Sequence, residues 1–401
     1  MRYHRRELEA AVLRAARSFP AVVLTGPRRS GKTSLLRHLL PRATYRLLED
    51  PELIARLRSD PRGFLESCRP PVLLDEVQNV PEIFAHVRAL IDRAPRKKGQ
   101  WFLTGSQEAP LMQGVSESMA GRAAILHLLP LSVRESARVS LLHGGYPEVL
   151  SRRQDARSWF SSFVQTYLER DVRAVTGIRD LATFRRFLAV LASRHGQILN
   201  RSDLAGPLGV SVPTINAWLS VLEVTAQILI VPPFYENLGK RLLKSPKIYI
   251  ADSGLACHLL GIDTPNELAK SPFRGSLFEG FVAAEIAKRQ AHAGGRRELY
   301  FFRDEQGLEV DFVLPGRGGA LELIECKAAK SVFPSDAQGL LRLAAAVRSK
   351  RGERAKLSMR VVHEAGRSSI DTNVLAPGVQ AQTWREFLSA APTRGARGKE
   401  L

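Results

Sequence analysis

Cysteine is scarce. The three present, Cys68, Cys257 and Cys326, lie far apart in 401 residues and form no CxxC pair. That excludes a disulfide framework and predicts a reducing, cytoplasmic setting. The nine histidines are scattered with no HExxH, so no zinc-type cluster is expected. No GxSxG elbow is present, which removes the serine hydrolases built on it. No apolar run reaches the roughly 18 residues of a membrane span. The opening MRYHRRELEAAVLRAARSF is charged and lacks the h-region of a signal peptide. A soluble protein without membrane contact is therefore expected. Acid is the minority charge: 40 Asp and Glu stand against 59 Lys and Arg, for a net +19. This balance suits a nucleic-acid partner, because cations that neutralise phosphates release counterions. Arginine outnumbers lysine, however, and the excess is spread along the chain, as GC-rich coding alone would produce. Charge by itself does not decide for DNA.

The length predicts two or three domains. An amphipathic helix comes first. An apolar strand at Ala21–Thr25 then enters a Gly-containing turn and a helix over Gly31–Leu40. Strand-like runs return at Val72–Leu74 and Trp101–Thr104, with helical stretches between. Alternation of this kind predicts an α/β fold with a parallel sheet under helices, ending near Leu131. From Ser136 to about Thr225 the apolar spacing is helical, and the short strand runs ILIVPPF and KIYIAD follow. From Phe278 the order is helix, three strands, helix, strand. The tail PTRGARGKEL reads as disordered and basic. The expected division is residues 1–135, 136–252 and 253–390, with 391–401 as tail.

Residues 26 to 33 read GPRRSGKT and fit G-x-x-x-x-G-K-[ST] at every fixed position. Gly26, Pro27, Arg28, Arg29, Ser30 and Gly31 form a loop whose backbone curls around phosphates. Lys32 reaches the β- and γ-phosphates of ATP, and the Thr33 hydroxyl suits Mg2+. Ser34 lies in the first turn of a helix that offers its positive end to the anion. Downstream, PVLLDEV delivers Asp75 and Glu76 at the carboxyl end of a buried strand. Asp75 is the second candidate for magnesium, and Glu76 would orient or activate the attacking water. The strand WFLTGS ends in polar Thr104 and Ser106, of which Ser106 is the candidate γ-phosphate sensor. In SMAGR, Arg122 would stabilise charge on the transferring phosphoryl group, from its own chain or from a neighbour in a homo-oligomer.

The segment NRSDLAGPLGVSVPTINAWLSVLEV reads as helix, turn, helix. Gly209 breaks the first helix and Ser211 caps the second. Ile215, Trp218, Leu219 and Leu222 form its buried face. The two strand runs complete a winged helix-turn-helix pattern, whose commonest partner is DNA. The second helix carries no Lys or Arg, only Thr214, Asn216 and Ser220 as exposed polar candidates. Basic residues lie in the wing instead: Lys240, Arg241, Lys244 and Lys247 could track phosphates without reading sequence. The uncharged helix equally leaves open a protein partner and a winged helix that serves as a spacer.

In the C-terminal part, strand LEVDFVL carries Asp311 and strand LELIECK carries Glu325 and Lys327. Residues two apart on a strand share a face, and a hairpin would bring Asp311 beside Glu325. Two carboxylates could hold magnesium, Lys327 could orient water against a phosphodiester, and Glu279 on the preceding helix would be a third acid. The element order with D…ExK resembles the PD-(D/E)XK nuclease core. A nuclease and a silent fold both remain open.

The motifs GPRRSGKT, LLDEVQ, LTGSQ, SMAGR, GGYPEVL, TYLERDV, LLKSPKIYIADSGL, GSLFEGFV and EVDFVL…ECK occur in one order over about residues 5 to 385. In this the chain resembles a widespread bacterial and archaeal family that joins an AAA-type P-loop ATPase to a C-terminal domain of unknown function. SMAGR departs from the family in having Met where Leu is more usual before Ala, which preserves apolar character. The resemblance implies ATP binding, a winged-helix segment and a nuclease-like fold, and supplies no settled biological role.

Overall fold

The computed structural model describes residues 3–105, 119–152, 155–168, 181–234, 245–352, 354–364 and 374–389. Five strands, β1 (Ala21–Thr25), β2 (Thr44–Leu47), β3 (Val72–Asp75), β4 (Trp101–Thr104) and β5 (Ala123–His127), form a parallel sheet in the order β2-β3-β4-β1-β5. The three inner strands are buried throughout, as parallel strands covered on both faces must be. The sequence reading found these three. It missed the edge strands β2 and β5, whose residues are mostly half-buried and mixed in polarity. The Ile83–Arg93 helix packs Phe84 and Val87 on one face of the sheet, while Val12, Leu35 and Leu36 cover the other. Because β1, β4 and β3 run parallel as neighbours, the carboxyl ends of all three open on one sheet edge. That edge is where α/β folds bind ligands.

The middle region contains the helices Leu181–Ser193, Arg201–Ala205 and Val212–Val224. It also holds an antiparallel sheet of β6 (Gln197–Ile198), β7 (Ile228–Val231) and β8 (Lys247–Ile250), ordered β6-β8-β7. Gly209 adopts φ +64° at the turn, where only glycine is unstrained. The Ser211 hydroxyl accepts the Thr214 N–H at 3.2 Å, capping the second helix as its sequence predicts. Ile215, Trp218, Leu219 and Leu222 are all buried, and Trp218 packs on the rings of Phe184 and Phe187. Asn216 and Ser220 face solvent and Thr214 is half-buried. Lys240, Arg241 and Lys244 lie outside the described residues, as does the 391–401 tail. The Ser253–Leu259 helix buries Leu255, Ala256 and Cys257 in this same apolar cluster.

The last part is a mixed six-stranded sheet. β9 (Tyr300–Arg303), β10 (Glu309–Pro315) and β11 (Leu321–Lys327) run antiparallel. β12 (Leu357–His363) returns parallel to β11 after the Gln338–Arg351 helix. β13 (Val374–Ala376) and β14 (Val379–Thr383) extend the sheet beyond the expected element order. The Arg274–His292 helix is buried along much of its length, and its Phe278, Phe281 and Val282 share a core with Val231 and Tyr249. The small sheet and the large one are therefore packed around a common helix. Among the described residues no helix is long and apolar enough to cross a membrane.

Candidate functional site

The loop after β1 is shaped by its glycines. Gly26 has φ +143°, and a Cβ there would lie 2.1 Å from the Leu128 carbonyl oxygen, so no other residue fits. Gly31, at φ +96°, opens the Lys32–Leu39 helix. Pro27 and Ser30 are buried, Arg28 is half-buried, and Arg29 and Ser34 are exposed. Arg29 pairs with Glu148 at 2.9 Å. Lys32 is buried and folds back over the loop, donating to the carbonyls of Gly26 at 3.1 Å and Pro27 at 3.0 Å. Carbonyls are neutral acceptors, weaker partners for an ammonium than phosphate oxygens.

Strand order brings Asp75 to this loop. The Thr33 hydroxyl donates to its two carboxylate oxygens at 3.1 and 2.9 Å. Tyr45, from the edge strand β2, donates at 2.9 Å, and the Thr104 hydroxyl at the end of β4 donates as well. Burial, and then the Asp75 charge, hold the Tyr45 hydroxyl well above the ordinary phenol range, so it remains a donor. Asp75 is 2 % exposed, yet has no ion-pair partner among the described residues. A buried carboxylate surrounded by hydroxyls, with the Ser30 hydroxyl unpartnered nearby in the loop, suits a hard, oxygen-seeking cation such as magnesium. Glu76 follows in the left-handed region, φ +57° and ψ +46°. This costs a non-glycine residue about 1–2 kcal/mol, and it turns the chain sharply off the end of β3. Its carboxylate accepts from the Gln78 amide.

Ser106, the expected sensor, lies outside the described residues; Thr104 is the β4 residue that meets Asp75. Arg122 stands far from this loop. Its carbonyl accepts the Ala21 N–H at 3.2 Å, so it stands at the amino end of β1. β1 spans five residues at about 3.3 Å each, so Arg122 lies about 16 Å from the phosphate loop. Its guanidinium pairs with Asp92 at 2.6 Å instead. In this arrangement Arg122 does not reach a phosphate on its own chain.

Sequence reasoning missed Tyr45 and also Arg6. The buried Arg6 guanidinium donates to the carbonyls of Ser30 at 2.8 Å and Leu129 at 2.6 Å, and to the Glu135 carboxylate at 2.9 Å. The Leu129 N–H in turn donates to His292 Nε2 at 3.3 Å, at the far end of the Arg274–His292 helix. Burial pulls His292 down to about 4, so its ring is neutral and can accept. Nothing marks Arg6 in an arginine-rich sequence; its importance comes from supporting the phosphate loop from below.

The second candidate group assembles as the hairpin predicts. Phe312 pairs with Ile324 in the β10–β11 register, and one step further Asp311 meets Glu325 and accepts the Cys326 N–H at 2.8 Å. Lys327 pairs with Glu325 at 2.9 Å. Glu279 joins from the helix, accepting from the Tyr249 hydroxyl at 2.6 Å. Lys247 corrects the sequence reading. It does not lie on an exposed wing but is 3 % exposed, with its ammonium 2.8 Å from Glu279, 2.7 Å from Glu309 and 3.8 Å from Asp311. Burial alone would lower its basicity, but Glu279, Asp311 and Glu309 outweigh that and hold it charged. Burial and the neighbouring Glu279 and Glu325 push Asp311 well above the usual carboxylate range.

Three family models match the chain: an AAA domain over residues 18–137, the domain of unknown function DUF8612 over 134–266, and the domain of unknown function DUF4143 over 274–377. The parallel sheet and its loop are thus those of an AAA-type P-loop ATPase domain. The uncharacterized proteins Rv2008c of Mycobacterium tuberculosis and Mb2031c of Mycobacterium bovis are each 36 % identical over 335 residues, spanning 80 % of this chain and 74 % of theirs. The chain belongs to their family; in this chain the AAA domain is followed by two domains of unknown function. Among solved structures it is similar to the Walker-type ATPase PABY2304 of Pyrococcus abyssi, at 18 % identity and a TM-score of 0.43, covering 63 % of this chain and 94 % of that one. AMPPCP-bound DnaA from Aquifex aeolicus matches at 13 % identity and a TM-score of 0.27, over 54 % of this chain and 85 % of that one. Neither likeness bears on what this chain does.

Proposed function

We propose that the chain binds ATP with magnesium at the Gly26–Thr33 loop and hydrolyses it, and that the nucleotide state governs contact with DNA through the middle region. The observation that carries the hydrolytic part is the Thr33–Asp75 pair beneath a glycine-shaped loop capped by Lys32. Thr33 and Asp75 would hold magnesium, which neutralises phosphate charge and eases phosphoryl transfer. Lys32 exchanges its carbonyl partners for β- and γ-phosphate oxygens. Glu76 takes a proton from water as the water oxygen bonds to the γ-phosphorus. The bond to the β–γ bridging oxygen breaks, and ADP and phosphate leave. Thr104 holds Asp75 in place, Ser106 senses the γ-phosphate, and Arg122 serves a neighbouring subunit of a homo-oligomer. The test is magnesium-dependent ATP turnover in wild type, Lys32→Ala and Glu76→Gln. Turnover that persists in both variants would overturn the assignment.

The DNA part is supported by the net charge of +19 and by a helix-turn-helix followed by two strands, the pattern of a winged helix. Salt-sensitive DNA binding that weakens on charge reversal at Lys240 and Lys244 is its expected result. A protein partner is the second reading, favoured by the Lys- and Arg-free Val212–Val224 helix and by the burial of Lys247. ATP turnover indifferent to duplex and single-stranded DNA would select it. In the protein-partner reading the C-terminal domain is a nuclease-like fold that does not cut.

A further inference from the structure

The resemblance to PD-(D/E)XK nucleases implies magnesium between Asp311 and Glu325, and the side chains present do not fit it. The position among Glu279, Glu309 and Asp311 is already taken by an ammonium, 2.7 and 2.8 Å from the first two acids and 3.8 Å from the third. Counting the side chains that pair here, Glu279, Glu309, Asp311 and Glu325 face Lys247, Lys327 and Arg303. Four acids against three cations, of which Lys247 is buried, leave a formal charge of only −1 to attract a divalent ion. A metal ion would also have to displace the ammonium or lie a few ångströms from it, where like charges repel strongly at low effective dielectric.

Lys247 cannot easily withdraw. Its backbone sits in β8, the central strand of the small sheet, in register with Ile198 on one side and Val231 on the other. Its ammonium lies 5.6 Å from the centre of the Phe301 ring. The backbone on either side of Phe301 is tied to the small sheet's continuation: Phe301 N–H donates to Pro232 at 3.2 Å, and Phe234 N–H donates to the Phe301 carbonyl at 2.6 Å. The lysine thus comes from one sheet and its acids from another sheet and from the helix between them.

We infer that Lys247 is a built-in cation that takes the place of the divalent metal, so that the D…ExK acids serve as a latch joining the small sheet to the C-terminal sheet rather than as a metal centre. Divalent ions and the Lys247 ammonium are mutually exclusive there. The corollary is that removing the lysine creates a metal site from residues already in position. This inference is independent of the ATPase reading, because its test contains no nucleotide.

The experiment titrates Mn2+ into the full chain without nucleotide, follows bound ion by electron paramagnetic resonance, and uses an Asp75→Asn background to silence the phosphate-loop site. That chain is expected to take up no ion at the C-terminal acids. Adding Lys247→Met should create one Mn2+ site per chain, lost again on further Asp311→Asn. Mn2+ binding with Lys247 intact that Asp311→Asn abolishes would overturn the inference, as would a folded Lys247→Met chain that gains no site. Should Lys247→Met fail to fold, thermal melting of the Asp75→Asn chain decides. A melting temperature unmoved by Mn2+ supports the latch, and a rise that Asp311→Asn cancels refutes it.

Discussion

Two groups of buried acid in one chain have opposite surroundings. Asp75 accepts from the Thr33, Tyr45 and Thr104 hydroxyls and meets no cation among the described residues. Asp311 shares its pocket with Glu279, Glu309 and Glu325 and with the Lys247 ammonium. The first acid meets hydroxyl donors; the second lies in a crowd of acids that already share an internal ammonium. Sequence motifs gave both the same reading, an acid ready for magnesium. The difference lies in what the neighbouring strands deliver: hydroxyls from β2 and β4 in one case, a lysine from β8 in the other. An acidic motif therefore predicts a metal only when the charge balance around it is also known.

The comparison can be sharpened by substitution. At the first site, Glu76→Gln should lower ATP turnover by about a hundredfold or more, the usual worth of a positioned general base, with little change in stability. At the second, Lys247→Met should leave buried acids without their cation. Breaking such a pair costs about 3–5 kcal/mol, readable by chemical denaturation, whereas Asp311→Asn removes one of several crowded carboxylates and should cost far less.

The buried His292 ring is expected to make stability depend on pH. Its value in the folded chain is lowered to about 4 by burial, from an ordinary 6.5. A group with a depressed folded value of this kind must charge on unfolding, so its contribution is whole above pH 6.5 and drains away as pH falls toward 4. His195, lowered to about 3 by burial, acts in the same direction. For His292 alone the loss is at most about 3 kcal/mol. Protonation of Asp311, raised in the folded chain, acts in the opposite direction. His292→Gln should therefore make the melting temperature drop less, or rise more, than in wild type between pH 7.5 and about pH 4.5. The smallest effect is expected at the exposed Arg122–Asp92 pair. Arg122→Ala should leave the melting temperature unchanged, and should slow ATP turnover only at protein concentrations where subunits associate.

Much of the first site was legible in sequence because it is local. The loop, its preceding strand and the acids of β3 lie in short apolar runs that end in fixed motifs, and β1 and β4 match the expected bounds. The helix-turn-helix face was legible for the same reason, since Ile215, Trp218, Leu219 and Leu222 follow helical spacing. The Asp311–Glu325 pairing followed from a short connection between two strands. What could not be read depends on elements distant in sequence. Tyr45 sits on an edge strand without a clear apolar pattern. The choice between the two roles of Arg122 could not be read because β5 went unseen, and with it the fact that Arg122 precedes a strand running away from it toward the loop edge. Lys247 looked like one more basic wing residue; only the packing of β8 against the helix and β10 turns its charge inward.

The most direct measurement is magnesium-dependent ATP turnover by three full-length proteins side by side: wild type, Glu76→Gln and Asp311→Asn. The contrast between the two acid sites predicts turnover in wild type, its loss in Glu76→Gln and its retention in Asp311→Asn. Turnover that survives Glu76→Gln, or that disappears in a folded Asp311→Asn protein, would contradict it.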